Sequence, residues 1–114
     1  MQYLLAIYEP EERFANLEKE TFQKELGEYR ALGQEFKELI KGGNALQPTN
    51  TATTVRMRNG KRLTTDGPFA ETKEQLGGYY LVDANDLDEA IGLAERIPAA
   101  RYGSIEVRPI MTFS

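Results

Sequence analysis

The sequence predicts an α+β domain in which an antiparallel sheet carries two helices on one face. Apolar residues recur every three or four positions in two segments, 16–40 and 86–97, which is typical of amphipathic helices. Strand-like segments lie before, between and after these two segments. The resulting order of strand, helix, strand pair, strand, helix and strand is that of a split βαβ unit.

The first element is predicted to be a strand over residues 2–8, QYLLAIY. Successive side chains of a strand point to opposite faces, and here both sets are apolar: Tyr3, Leu5 and Ile7 on one face, and Leu4, Ala6 and Tyr8 on the other. Such a strand should be covered on both sides. A polar loop is expected at residues 9–15.

The first helix is expected to begin at Asn16, which is a suitable N-cap, and to end at Gly42-Gly43. Its inward face should consist of residues spaced by three or four positions, namely Phe22, Leu26, Tyr29, Gly33, Phe36 and Ile40.

A β-hairpin is predicted at 53–58 and 61–65 because Asn59-Gly60 suits a two-residue type I′ turn. Pairing of 58 with 61 and of 56 with 63 would place Arg56, Arg58 and Lys61 on one face, where they could hold a carboxylate or a phosphate. Alternatively, these cations protect a strand edge against aggregation.

A polar connection over residues 66–75 leads to a strand at 77–84. Asp86 and Glu89 then have the spacing of a capping box at the start of the second helix, which Pro98 should end. The inward side chains of this helix are expected to be Leu87, Ala90, Ile91, Ala94 and Ile97.

The last strand is predicted at residues 104–110, with Ile105 and Val107 on one face and Glu106 and Arg108 on the other. With both helices on one side, the second sheet face is left uncovered, although the first strand is apolar there. A second copy of the chain is the simplest cover. We therefore expect one ferredoxin-like domain over 1–114, with an inserted hairpin, that forms a homodimer through the open sheet face.

Composition excludes several classes of function. The 114 residues include no cysteine and no histidine, so thiolate metal sites, cysteine nucleophiles and histidine acid-base chemistry are absent. No metal site or cofactor is indicated. The net charge of -4 argues against binding to nucleic acid or to anionic membranes. With no long apolar run and no signal-like start, a cytoplasmic location is expected.

The most specific motif is DGPFAETKE, residues 66–74, supported by MQYLLAIY near the start and by LQPTNTATTV before the hairpin. On these motifs, residues 1–110 resemble the DGPF-type branch of the YCII-related domain family. The resemblance implies a dimeric α+β barrel with a cleft near the interface. It also implies a small bacterial protein of unestablished activity, often encoded beside extracytoplasmic-function sigma factors, which makes a functional link to such a factor an expectation.

Members of the wider YCII group are suspected of enzymatic activity through a His-Asp pair. This chain has no histidine, so the pair cannot be carried over, and only Asp66 could stand for its acidic member. Asp66 has two interpretations: its carboxylate accepts hydrogen bonds from the backbone of the following turn, or it points into the interface cleft as a general acid or base.

The chemistry of the remaining motif residues predicts their roles. Gly67 provides positive φ or close backbone approach, and Pro68 stiffens the turn. Phe69 is expected to be a hydrophobic plug, with a ligand platform as the alternative. Glu71 and Lys73 are either solvated charges or part of a polar site. The predicted ligand-binding set is Gly67, Pro68, Phe69, Glu71, Lys73, Arg56, Arg108 and Tyr8.

Two functions remain open from the sequence. One is a small-molecule-binding or regulatory module with a polar cleft near the dimer interface. The other is a small enzyme that uses Asp66 as general acid or base, with Arg56 or Arg108 holding a small anionic substrate.

Overall fold

The computed structural model describes residues 1–113, and within them the fold is α+β, with strands β1 to β6 and helices α1 to α3. The strands are β1 (Gln2–Glu9), β2 (Ile40–Ala45), β3 (Thr53–Arg58), β4 (Lys61–Asp66), β5 (Gln75–Asp83) and β6 (Ser104–Pro109). The helices are α1 (Glu12–Ala15), α2 (Lys19–Glu35) and α3 (Leu87–Ala94), with short 3-10 turns at Thr49–Thr51 and Pro98–Arg101.

Four strands form the main sheet in the order β2-β5-β1-β6, and every neighbouring pair is antiparallel. This is the ferredoxin-like α+β arrangement that the sequence predicts. Strands β3 and β4 form a separate two-stranded sheet, which is the predicted inserted hairpin. Its register pairs Arg58 with Lys61 and Arg56 with Leu63, as expected.

The core lies between one face of the main sheet and the helices. Tyr3, Leu5 and Ile7 of β1 are buried there, and the fully buried side chains include Leu5, Val82, Leu93 and Ile97. Each such side chain contributes about 1.5–3 kcal/mol by leaving water. Ile105 and Val107 pack against the same core, so β6 presents its two faces as predicted.

The first helix is shorter than predicted, and a strand follows it. Helix α2 begins at Lys19 after an extended Glu18, not at Asn16, and the backbone N–H of Phe36 bonds to Leu32 at its end. Residues 40–43, expected to end this helix, instead belong to β2 (Ile40–Ala45). Gly43 serves strand pairing there, because a Cβ would lie only 2.6 Å from the carbonyl oxygen of Tyr79.

Two inward faces also differ from prediction. Phe22 is 41% exposed because α2 directs Leu32 and Glu25 inward. In α3 the buried side chains are Ala90, Leu93 and Ala94, while Leu87 and Ile91 are exposed at the flanks. The inward stripe of α3 is therefore formed by Ala90, Leu93 and Ala94, and Leu87 and Ile91 lie at its edges.

The capping box is present: Asp86 Oδ1 accepts from the Glu89 backbone N–H at 2.9 Å. The predicted polar loop 9–15 contains the one-turn helix α1. Within residues 1–113, no helix is both long and apolar enough to cross a bilayer.

Candidate functional site

The sheet face opposite the helices carries a shallow depression of about 380 Å3. Its lining comes from β1, β5 and β6, and consists of Leu4, Ala6, Tyr8, Leu76, Tyr79, Glu106 and Arg108. Apolar and aromatic groups therefore surround one pair of opposite charges.

Strand register explains the shape of this depression. Ala6 of β1 pairs with Tyr79 on one side and with Glu106 on the other. Since side chains of directly paired residues stand side by side on one face, the small Ala6 forms a floor between two taller walls. Leu4 beside Arg108 and Tyr8 beside Leu76 bound the two ends.

The polar groups of the depression are held in place by neighbours. Arg108 donates to Glu106 at 2.8 Å, and this hydrogen bond raises the pKa of Arg108. Both side chains stay largely exposed, at 70% and 46%. Asn44 of β2 donates to the hydroxyl oxygen of Tyr79 at 2.9 Å, which leaves that hydroxyl able to donate outward.

The structure brings together only part of the predicted site. Tyr8 and Arg108 line the depression, whereas Arg56 and Asp66 belong to the β3–β4 hairpin and do not. Thr53 pairs with Asp66 and Arg56 pairs with Leu63, so Asp66 and Arg56 point to opposite faces of the hairpin. A single protomer thus does not pair Asp66 with Arg56.

Asp66 is exposed, and within residues 1–113 no hydrogen bond to its carboxylate is formed, so the expected turn-capping contact is absent from the protomer. Its backbone is nevertheless fixed. The next residue, Gly67, has φ of 101°, and its N–H donates to Ala52 at 2.7 Å while its carbonyl accepts from Thr54 Oγ1 at 2.8 Å. Gly67 therefore supplies positive φ, and nothing lies within 4 Å of the Cβ it lacks.

The connection that follows is ordered by its own polar groups. Gln75 Nε2 donates to the carbonyls of Ala70 and Thr72 at 3.1 Å each. Phe69 is 81% exposed, so in the protomer it does not act as a hydrophobic plug. Pro68 is half-buried, and Glu71 and Lys73 are exposed. The role of these residues in ligand binding stays a prediction.

A buried charge cluster on the helix side was missed. Glu25 of α2 is only 7% exposed. Its carboxylate accepts hydrogen bonds from both terminal nitrogens of Arg13, one of them at 3.0 Å. The Arg13 guanidinium also lies 3.6 Å from the centre of the Tyr102 ring. Glu25 lies three residues after Phe22 and four before Tyr29, inside the apolar stripe, and that position could have revealed it.

The cluster extends to Glu9 at the end of β1. Burial raises the pKa of Glu9, and the nearby Glu25 adds to this while Arg13 opposes it. Burial likewise raises the pKa of Tyr102 to about 12. Glu25 lines neither the depression on the open sheet face nor the one beside the Pro98–Arg101 turn, and its bidentate contact with Arg13 indicates a structural role for the pair.

A second depression of about 350 Å3 lies between α2 and the 3-10 turn at Pro98–Arg101. Its two arginines are already engaged: Arg101 binds Glu28 through bonds of 2.6 and 2.9 Å, and Arg96 binds Glu35 through bonds of the same lengths. Among residues 1–113 no group of three acidic side chains could hold a metal ion.

Comparison with known proteins identifies the family of this chain. The model of the YCII-related domain matches residues 1–114. The chain belongs to the YCII-related domain family. It is 38% identical over 117 residues to an uncharacterized protein of Rhizobium meliloti (strain 1021), an alignment that covers 99% of this chain and 94% of the relative.

A solved structure of similar fold is the 5-chloro-2-hydroxyhydroquinone dehydrochlorinase (TftG) from Burkholderia phenoliruptrix AC1100, in complex with 2,5-dihydroxybenzoquinone. The TM-score is 0.56 at 14% identity, and the match covers 97% of this chain and 94% of the enzyme. At this identity the likeness concerns the fold alone.

Proposed function

We propose that this YCII-related protein is a homodimeric small-molecule-binding protein whose ligand occupies the depression on the open sheet face. The main support for this proposal is the composition of the depression. Its floor, Ala6, lies between Tyr79 and the Glu106–Arg108 pair, so a ligand would meet apolar surface beside a cation held by a hydrogen bond. Small-molecule sites combine these features. A functional link to a sigma factor and membership of the DGPF branch remain predictions.

The lining favours a small, planar ligand that carries an acidic or hydroxyl group. Tyr8 and Tyr79 supply aromatic surface, and the Arg108 guanidinium supplies several donors for a carboxylate or phenolate. The 2,5-dihydroxybenzoquinone bound by TftG is a molecule of this kind. Hydroxylated quinones and hydroxybenzoates are therefore the first compounds to test.

The alternative of an enzyme based on Asp66 has less support in the protomer. Asp66 is exposed and lies on the hairpin, away from the residues that line the depression. General acid-base catalysis requires the acid within hydrogen-bond reach of the reacting group, so a second element would have to enclose it.

A thermal-shift screen of hydroxybenzoates and hydroxyquinones tests the proposal. A ligand present at 100 times its Kd should stabilise the native state by about 2.7 kcal/mol. Arg108→Gln should weaken each hit about tenfold or more, because a hydrogen bond to a charged group contributes about 1.5–3 kcal/mol. Arg30→Gln is the matched control, since Arg30 is an exposed arginine on helix α2.

Titration calorimetry on the strongest hit supplies the Kd values. Equal affinities for the wild type, Arg108→Gln and Arg30→Gln would refute a site on the open sheet face.

A further inference from the structure

We infer that the β3–β4 hairpin is a dimerisation arm: its Val55–Met57 face is covered by a second copy of the chain, and this contact encloses Asp66 in a site shared between protomers. The inference rests on the proposed homodimer and adds the segment that joins the copies.

The hairpin lacks the cover that a two-stranded sheet needs. Its strands pair only with each other, and an isolated hairpin is marginally stable in water. Val55 and Met57 are each 58% exposed, and Leu63 is 49% exposed. An apolar β-ribbon of this kind is stable when it packs against a further surface.

Register separates the two faces of the ribbon. Val55 pairs with Thr64, Met57 with Arg62 and Thr53 with Asp66, so these six side chains share one face. All six residues of this face are exposed. On the other face Thr54 and Arg56 are half-buried, beside the Gly67 carbonyl that accepts from Thr54, while Arg58, Lys61, Leu63 and Thr65 are exposed. We therefore assign the Val55–Met57 face, which is exposed throughout, as the docking face of the hairpin.

Charge identifies the partner as another copy of this chain. Residues 53–66 contain four cations and one carboxylate, a charge of +3, whereas the whole chain carries -4, so the remaining residues carry -7. A basic arm on an acidic body is complementary to an identical body. Within residues 1–113, Arg56, Lys61, Arg62 and Asp66 make no salt bridge. By contrast, four of the five arginines outside the hairpin form salt bridges to acidic side chains of their own protomer.

The extended shape of the protomer is consistent with a hairpin that projects as an arm. Its radius of gyration is 16.1 Å, against about 13 Å for a compact domain of this length. The extents are 47 × 47 × 18 Å, which describes a flat body two layers thick with material projecting from it. A second flat body placed on the open sheet face would supply both the missing layer and a surface for the arm.

Asp66 shares the face of Val55 and Met57, so docking that face shelters its carboxylate. The site is then incomplete in one protomer, which explains why Asp66 and Arg108 lie on separate surfaces of the chain. An acid enclosed in this way sits in an environment suited to binding or proton transfer.

Paired threonine substitutions test the arm. Met57→Thr removes apolar surface from the docking face, and Leu63→Thr removes it from the opposite face; threonine keeps the strand propensity of both positions. In a twofold dimer each change counts twice, so Met57→Thr should raise the dimer Kd measured by sedimentation equilibrium about tenfold or more. Leu63→Thr should change it less than about threefold.

Thiol labelling tests the position of Asp66 separately. The chain has no cysteine, so Asp66→Cys and Thr65→Cys each introduce a single thiol, on opposite faces of β4. In the dimer, Asp66→Cys should react with a maleimide at least about fivefold more slowly than Thr65→Cys. Adding Met57→Thr at low protein concentration should abolish the difference.

The inference is overturned if the wild type is monomeric, if Met57→Thr and Leu63→Thr weaken the dimer equally, or if both thiols react alike in the dimer. The proposed function has a separate criterion. Loss of ligand in Arg108→Gln with no effect of Met57→Thr on the dimer would refute only the arm, and the reverse pattern would refute only the ligand site.

Discussion

Removal of Arg13 should be among the most damaging single substitutions in this chain. The Arg13 side chain is 24% exposed and that of Glu25 is 9% exposed, so Arg13→Met would leave a buried carboxylate without its bidentate partner. The other neighbours of the Glu25 carboxylate make longer contacts. Arg101 Nη2 lies 3.9 Å from Glu25 Oε1, and the Tyr102 hydroxyl lies 3.5 Å from Glu25 Oε2.

The magnitude follows from the environment of Glu25. Breaking a buried pair by removing one partner destabilises a protein by about 3–5 kcal/mol. Arg101 compensates in part, which favours the lower end, but the stacking of Arg13 on Tyr102 is lost as well, at about 0.5–1 kcal/mol. We expect a loss of about 3 kcal/mol and a fall in Tm of about 12 °C.

Urea unfolding followed by far-UV circular dichroism measures the effect, since the chain has no tryptophan. Arg96→Met is the control, because it breaks an equally bidentate but exposed pair with Glu35 and should cost less than about 1 kcal/mol. The double change Arg13→Met with Glu25→Leu should recover to within about 1 kcal/mol of the wild type. A loss below about 1 kcal/mol for Arg13→Met alone, or a double variant as unstable as the single one, would refute the reasoning.

Four further substitutions test other parts of the fold. Burial raises the pKa of Glu9 above its ordinary 4.5, so the folded state binds this proton more tightly than the unfolded chain; the associated stability is complete below pH 4.5 and is lost as pH rises through the raised pKa. Glu9→Gln should therefore raise Tm at pH 7 and flatten the decline of Tm with pH, and a lower Tm would contradict this. Gly103→Ala should destabilise by more than about 2 kcal/mol in urea titrations, since its Cβ would lie 2.2 Å from the carbonyl oxygen of Tyr8, whereas Gly27→Ala, with open space in helix α2, should stabilise by about 0.5–1 kcal/mol. Asp86→Ala should cost about 1 kcal/mol in the same titration by removing the cap of α3, and an unchanged midpoint would exclude that role.

Local turn and cap chemistry made most of the fold predictable. Asn59-Gly60 fixes the hairpin because its residues adopt the positive φ angles that a type I′ turn requires, 52° and 74°. Asp86 and Glu89 fix the start of α3 through bonds within one turn. Because each of these signals involves residues at most four positions apart, the local structure can be predicted from the sequence alone.

Strand β2 could not be recognised in the same way, because its stability comes from distant residues. Ile40, Lys41 and Gly42-Gly43 have the composition of a helix end, and their extended conformation depends on pairing with β5. Gly43 is required at a point where two backbones approach closely, a contact that spans 36 residues of sequence to Tyr79. The Arg13–Glu25 pair was missed for a related reason: only the folded chain brings α1 against α2.

The two sides of the sheet use their charges in opposite ways. On the helix side, Glu25 and Glu35 hold arginines of their own protomer in bidentate contacts, so those charges stabilise the fold and are not free for a ligand. On the open side Arg108 is largely exposed, and in the hairpin Arg56 and Asp66 have no charged partner within residues 1–113. Arg108 pairs with its strand neighbour Glu106 at the surface, and such exposed charges contribute little to protomer stability and are accessible to a partner or a ligand. This asymmetry is why both proposals place function on the open face and the hairpin, and why substitutions there should change binding and assembly more than they change protomer folding.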